Sequence, residues 1–215
     1  MEIILKKQRG KQKSIWVLLP LFGTLLFVIL YIIATFFYPG GSQADKNSIG
    51  FSWTDNYWCN LLGETAINGQ HNPAKPIAMT AMLILCASLA YFWFLFPEHI
   101  DVGKFTKRAI QVSGTIAMTI GFFLFTNFNH DLLINSASLF GVVATIGTFI
   151  GLYRVMWYGL LTMGFFILLL IGLNNYFYHS KELIVYLPIV QKVTFATFLV
   201  WLCGVDVNLY RKATD

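Results

Sequence analysis

Lys192 falls inside an otherwise uncharged apolar stretch at 183–205. A charge at the centre of a membrane helix costs ~2.5–3.5 kcal/mol on insertion scales. Such a lysine has two outlets. Its stem can reach back to the headgroups, or it can meet a carboxylate in an internal cavity. The expected partner in the second case is Asp131, which opens an apolar stretch on the same side of the chain. Asp131, Asn135 and Ser138 repeat at i, i+4 and i+7, so they share one helix face. Asn127, Asn174 and Asn175 fall at the same level. His130, Asp131, Asn135, Asn174 and Lys192 are therefore the candidate ligand-binding set, a cation for an anionic group with amides and an imidazole to orient it. Pro188, just before Lys192, is expected to bend its helix.

The alternative chemistry is metal-dependent hydrolysis of a lipid. His71, His130 and His179 with Asp131 have the donor types for Zn²⁺. No two histidines stand four apart, and the chain has no HExxH, GxSxG, CxxC or nucleotide-binding loop. The non-enzymatic reading is favoured, without a cofactor. A small transporter is a third reading, against which stand the absence of paired repeats and the single buried cation. Asp206 is expected to pair with Arg211 or Lys212. Cys86 and Cys203 lie in apolar stretches and Cys59 in a loop, which leaves no disulfide framework.

The elements that must position these groups follow from composition. Of 215 residues, 57% are hydrophobic and 12% charged. That is about half the charge of a soluble domain, too little to cover a water-facing surface, and it excludes a soluble enzyme, a disordered chain and a nucleic-acid binder. A helix needs ~20 apolar residues to cross a bilayer. Stretches of that kind occupy 15–37, 76–97, 109–129, 132–153, 155–178 and 183–205. Contiguous apolar runs exclude a β-barrel. The fold class is all-α, a polytopic membrane protein with six transmembrane helices in one domain over 1–215. The first run is too long for a signal-peptide core and is read as a retained span.

Lys and Arg set the orientation. One side carries Lys6, Lys7, Arg9, Lys11, Lys13, Lys104, Lys107, Arg108, Arg154, Arg211 and Lys212. The other carries Lys46, Lys75 and Lys181. Both termini are therefore expected in the cytoplasm and the chain in the cell membrane, with membrane lipids as partners and no nucleic acid.

Small residues predict close packing. Ser113, Ala117 and Gly121 form a stripe on the third span, and Ala137, Gly141, Thr145, Gly147 and Gly151 on the fourth. Packing within the chain is favoured over homodimerisation. In the first outward loop, Trp53, Tyr57, Trp58, Leu61 and Leu62 share a helical face, with Asp55, Asn56 and Cys59 opposite. This predicts a short interfacial helix with Asp55 and Asn56 in water.

Phe51-Ser52-Trp53, Asn56-Tyr57-Trp58-Cys59-Asn60-Leu61-Leu62, Asn72-Pro73 and His130-Asp131-Leu132-Leu133 together resemble a family of small six-span bacterial membrane proteins of unknown function, itself similar to the Frag/DRAM/Sfk-like group. The resemblance covers most of the chain. It implies a six-helix bundle in a membrane and supplies no reaction. The eukaryotic relatives are linked to lipid or membrane homeostasis, which hints at the substrate class.

Overall fold

A computed structural model describes residues 15–123 and 130–214, without the side chains of His130, Asp131, Leu132 and Ile134. Its described residues form six long helices. A 3₁₀ turn at Trp16–Leu18 leads into α1 (Leu19–Phe36); α2 is Lys75–His99, α3 Lys104–Phe123, α4 His130–Arg154, α5 Tyr158–His179 and α6 Leu187–Thr214. There is no named strand among them, only isolated bridges at Gly40–Ile49 and Thr65–His71. Five helical segments are long and apolar enough to cross a membrane: Trp16–Phe36, Lys75–His99, Asn135–Arg154, Tyr158–His179 and Ile184–Thr214. The third expected span, 109–129, continues past Phe123 beyond the described residues.

The helix ends have local causes. Pro39-Gly40-Gly41 stops α1, and Pro76 sits in the first turn of α2, where its missing N–H costs nothing. At the end of α4 the Met156 N–H bonds the Tyr153 carbonyl at 3.1 Å and the Trp157 N–H bonds Leu152 at 3.0 Å. This is a Schellman closure. Its left-handed position, usually glycine, is Met156 at φ +57°. Pro188 is the second residue of α6, not a mid-helix residue, because a 3₁₀ turn at Ile184–Tyr186 precedes the helix. The bend expected at Pro188 is thus a helix start. Lys192 accordingly lies roughly 8 Å from the beginning of α6, shallower than a helix starting at residue 183 would place it.

The chain divides into two compact units, with boundaries inside α1, α2, α5 and α6. One comprises 1–25, 83–162 and 201–215. Here helices close on glycines. A Cβ at Gly114 would lie 2.5 Å from the Trp93 side chain, and one at Gly151 2.7 Å from the Phe96 ring, while one at Gly147 would overlap Ile110. Gly147 meets Ile110 and Thr106, and Gly151 meets Val102, so α3 and α4 run antiparallel. Ser113, Ala117, Ala144 and Thr148 are buried along this seam. Two residues of the expected stripes are off it: nothing lies within 4 Å of a Cβ at Gly141, and Gly121 meets only Met118 of its own helix, at 3.9 Å. The α4 seam is phased on Ala144, Gly147, Thr148 and Gly151, where aromatic and β-branched neighbours need the room.

The second unit comprises 26–82 and 163–200. It holds the C-terminal part of α1, the loop to α2 with the start of α2, the C-terminal part of α5 and the N-terminal part of α6. On α5, Phe165, Phe166, Leu168, Leu169 and Ile171 are all exposed. Apolar exposure around a whole helix face suits lipid, not water.

Candidate functional site

Two buried asparagines build the loop between α1 and α2. Asn56 accepts from the Ser52 N–H at 2.8 Å and donates to the Gly41 carbonyl at 2.8 Å and to Asn60 Oδ1 at 3.3 Å. Gly41 sits at φ +83°, with the Ile67 carbonyl carbon 2.8 Å from where a Cβ would be, so only glycine can present its carbonyl there. Asn72 Nδ2 faces the carbonyls of Asn60, Leu61 and Gly63 at 3.2, 3.2 and 2.9 Å, and its Oδ1 accepts the Ala74 N–H. The expected helix over residues 53–62 is shorter: a 3₁₀ helix at Trp58–Leu62, started by Asn60 Oδ1 accepting the Tyr57 N–H at 2.6 Å. Asn56 is fully buried, not in water as expected. The physical reason is that an amide with three partners loses little by leaving water, and loop closure needs its bonds.

Lys192 completes this loop. Its ammonium donates to the Asn56 carbonyl, and to the Pro188 carbonyl at 3.1 Å, with the Phe51 ring centroid 5.8 Å away. Asp55 stands close by. The hydroxyls of Ser52, at 2.6 Å, and Thr54, at 2.7 Å, hold its carboxyl below the usual carboxylate range, and the Lys192 charge acts in the same direction. Around them is an aromatic cluster. Trp58 packs tilted against Tyr31 at 4.8 Å between centroids and Phe195 at 6.4 Å and edge-on to Trp53 at 5.7 Å, and the Tyr31 hydroxyl donates to the Trp58 carbonyl at 3.0 Å. Two buried polar atoms of this unit have no partner among the described residues: Trp58 Nε1 and Asn174 Oδ1. The site thus offers a cation hydrogen-bonded to two neutral carbonyl oxygens with the Asp55 carboxylate near by, and an unused indole donor.

The expected set is only partly assembled. Asn174 donates to Thr194 at 2.6 Å and to Leu170 at 2.9 Å, joining α5 to α6. Thr194 is two residues from Lys192, about 200° around the helix, so Asn174 and Lys192 sit against different faces of α6. Asn135 is exposed on α4, in the other unit. The side chains of His130 and Asp131, and with them the Lys192–Asp131 pairing, lie outside the described residues, as does Asn127. His71 and His179 are exposed, and no group of three His, Cys, Asp or Glu able to hold a metal occurs among the described residues. Asn56 escaped sequence reasoning because a polar residue in a loop reads as solvated. The Asn56–Asn60 spacing beside an aromatic cluster was the signal available.

Asp206 corrects a further expectation. It is buried on α6 and neither carboxyl oxygen has a partner among the described residues. Arg211 and Lys212 are five and six residues on, off its helix face, while Leu202, Val205 and Leu209 share its buried side. An unmet buried polar group costs about 1–3 kcal/mol. Asp206→Leu is therefore expected to raise the thermal midpoint in detergent. A midpoint that falls would mean that the carboxyl is engaged in the intact membrane protein.

No family model, curated protein or solved structure matches this chain.

Proposed function

We propose that this chain is a six-span protein of the cell membrane, with both termini in the cytoplasm, that binds a lipid headgroup or small amphiphile at its outward end and catalyses no reaction. The Lys and Arg distribution supports the orientation. The resemblance to small bacterial membrane proteins, themselves similar to the Frag/DRAM/Sfk-like group, is a hint toward the same ligand class. The observation that carries the binding role is the Lys192 ammonium, hydrogen-bonded to two main-chain carbonyl oxygens, one of them in the loop whose Trp58 Nε1 has no partner among the described residues. An anionic headgroup competes well against a neutral carbonyl for an ammonium, because a charge-assisted bond is roughly twice as strong as a neutral one. The aromatic rings around Trp58 suit the first methylenes of a chain. Binding would draw Lys192 from the Asn56 carbonyl and loosen the loop there.

The test is organic extraction of the purified protein followed by mass spectrometry. A co-purifying amphiphile is expected at near-stoichiometric level in the native protein and at a several-fold lower level in Lys192→Met. Equal content in both, with equal thermal midpoints, would overturn the reading.

A further inference from the structure

At the C-terminal ends of α4 and α6, a groove of about 520 Å³ is lined by Arg154, Val155, Trp157, Asn208, Arg211 and Lys212. All six belong to the unit formed by 1–25, 83–162 and 201–215. Asn208, Arg211 and Lys212 share one face of the last turns of α6 by their i, i+3, i+4 spacing. Arg154, Val155 and Trp157 come from the Schellman turn after α4. Its closure at Met156, a residue in the left-handed region without being glycine, fixes that side of the groove.

The charge here is unspent. None of the three cations has a carboxylate partner among the described residues, whose ion pairs are Lys75–Glu64 and Lys107–Glu98. Arg154 is steadied by one bond from Nη1 to the Asp101 carbonyl at 3.2 Å, which leaves most of its donors available. Among the described residues neither Arg211 nor Lys212 bonds a terminal carbonyl of α6; Thr214 bonds Tyr210 and Arg211 instead. A second basic groove, along α3 at Lys104, Lys107 and Arg108, differs on this point. There Lys107 is already taken by Glu98 at 2.5 Å, and Gln111 bonds the same carboxyl group at 2.9 Å.

We infer that the α4–α6 groove binds the phosphate of an anionic phospholipid headgroup. Arg154, Arg211 and Lys212 supply the charge, and the Trp157 indole marks the depth of the acyl–headgroup boundary. Guanidinium forks match phosphate oxygens in pairs. Basic pockets between membrane helices on the cytoplasmic side are known to take anionic headgroups, and indoles favour that interface. The groove is independent of the Lys192 site and belongs to other residues.

The experiment compares thermal midpoints of the purified full chain in detergent with added phosphatidylglycerol, phosphatidylcholine or inorganic phosphate. Phosphatidylglycerol is expected to raise the midpoint of the native protein, and the other two to leave it in place. The double variant Arg211→Gln/Lys212→Gln, both exposed positions, should keep the lipid-free midpoint and lose about 30-fold in apparent phosphatidylglycerol affinity. Lys104→Gln/Arg108→Gln should keep native affinity. The inference is overturned if Arg211→Gln/Lys212→Gln binds like the native protein, if the α3 variant loses as much, or if phosphatidylcholine protects equally. Equal protection by inorganic phosphate would also overturn it, by assigning the groove to a free anion.

Discussion

Asn72→Asp is expected to lower the stability of this protein by about 3–5 kcal/mol, and Asn72→Ala by about 1–3 kcal/mol. The two differ because of what faces the amide. Three carbonyl oxygens converge on Nδ2 in a buried position. Alanine leaves them without a donor. Aspartate, nearly the same shape, sets a charged oxygen against all three. The loss should appear as a lower midpoint in detergent and as faster tryptic cleavage at exposed Lys46, on the same loop. Acidification should restore part of it for Asn72→Asp alone, since a protonated carboxyl regains a donor. The sign follows from linkage: a carboxyl whose folded pKa is raised loses stability as pH rises through the interval between its unfolded and folded values. An alanine variant as damaging as the aspartate, with no pH dependence in either, would show that the three carbonyls do not depend on this amide.

Gly114→Val is the second large effect. Any Cβ there would lie 2.5–2.6 Å from Cβ, Cγ and Cδ2 of Trp93, a buried ring flanked by Phe92 at 6.3 Å. The contact is with the root of the side chain, which cannot swing aside, so α3 must move off α2. Overpacking of this kind costs about 1–3 kcal/mol, and valine's branches put it at or beyond the upper end. Gly141→Ala is the matched control. It meets nothing within 4 Å and gains up to ~1 kcal/mol in helix propensity. Opposite shifts in midpoint are expected. If Gly114→Val melts like the native protein, the close approach of α3 to Trp93 is wrong.

Helix positions were legible because the bilayer demands long apolar runs, and such runs need no tertiary knowledge. The runs at 76–97 and 132–153 became Lys75–His99 and His130–Arg154. The last one shifted because the residues before Leu187 form a turn, which apolarity does not distinguish from helix. The site was less legible. Lys192 stood out as a charge among apolar residues, and its acceptor did not, because a main-chain carbonyl has no letter in the sequence. Asn56 reads as a surface residue until Gly41 is brought to it. Asp206 reads as an interfacial group in the sequence because basic residues follow it, whereas helix phase turns it toward Leu202, Val205 and Leu209.

One regularity in these contacts bears on genetics. Tyr31 reaches the carbonyl of Trp58, Asn56 that of Gly41, Asn72 those of three loop residues, Lys192 that of Asn56, Arg154 that of Asp101 and Trp201 that of Leu160. The donor is a specific side chain and the acceptor is an atom that every residue type carries. A lost donor therefore has no compensating exchange at its acceptor position. Suppressor screens started from Asn72 or Lys192 should return the original codon or distant stabilising changes, not partners. The side chain-to-carbonyl bonds that close this loop would leave no trace in pairwise covariation.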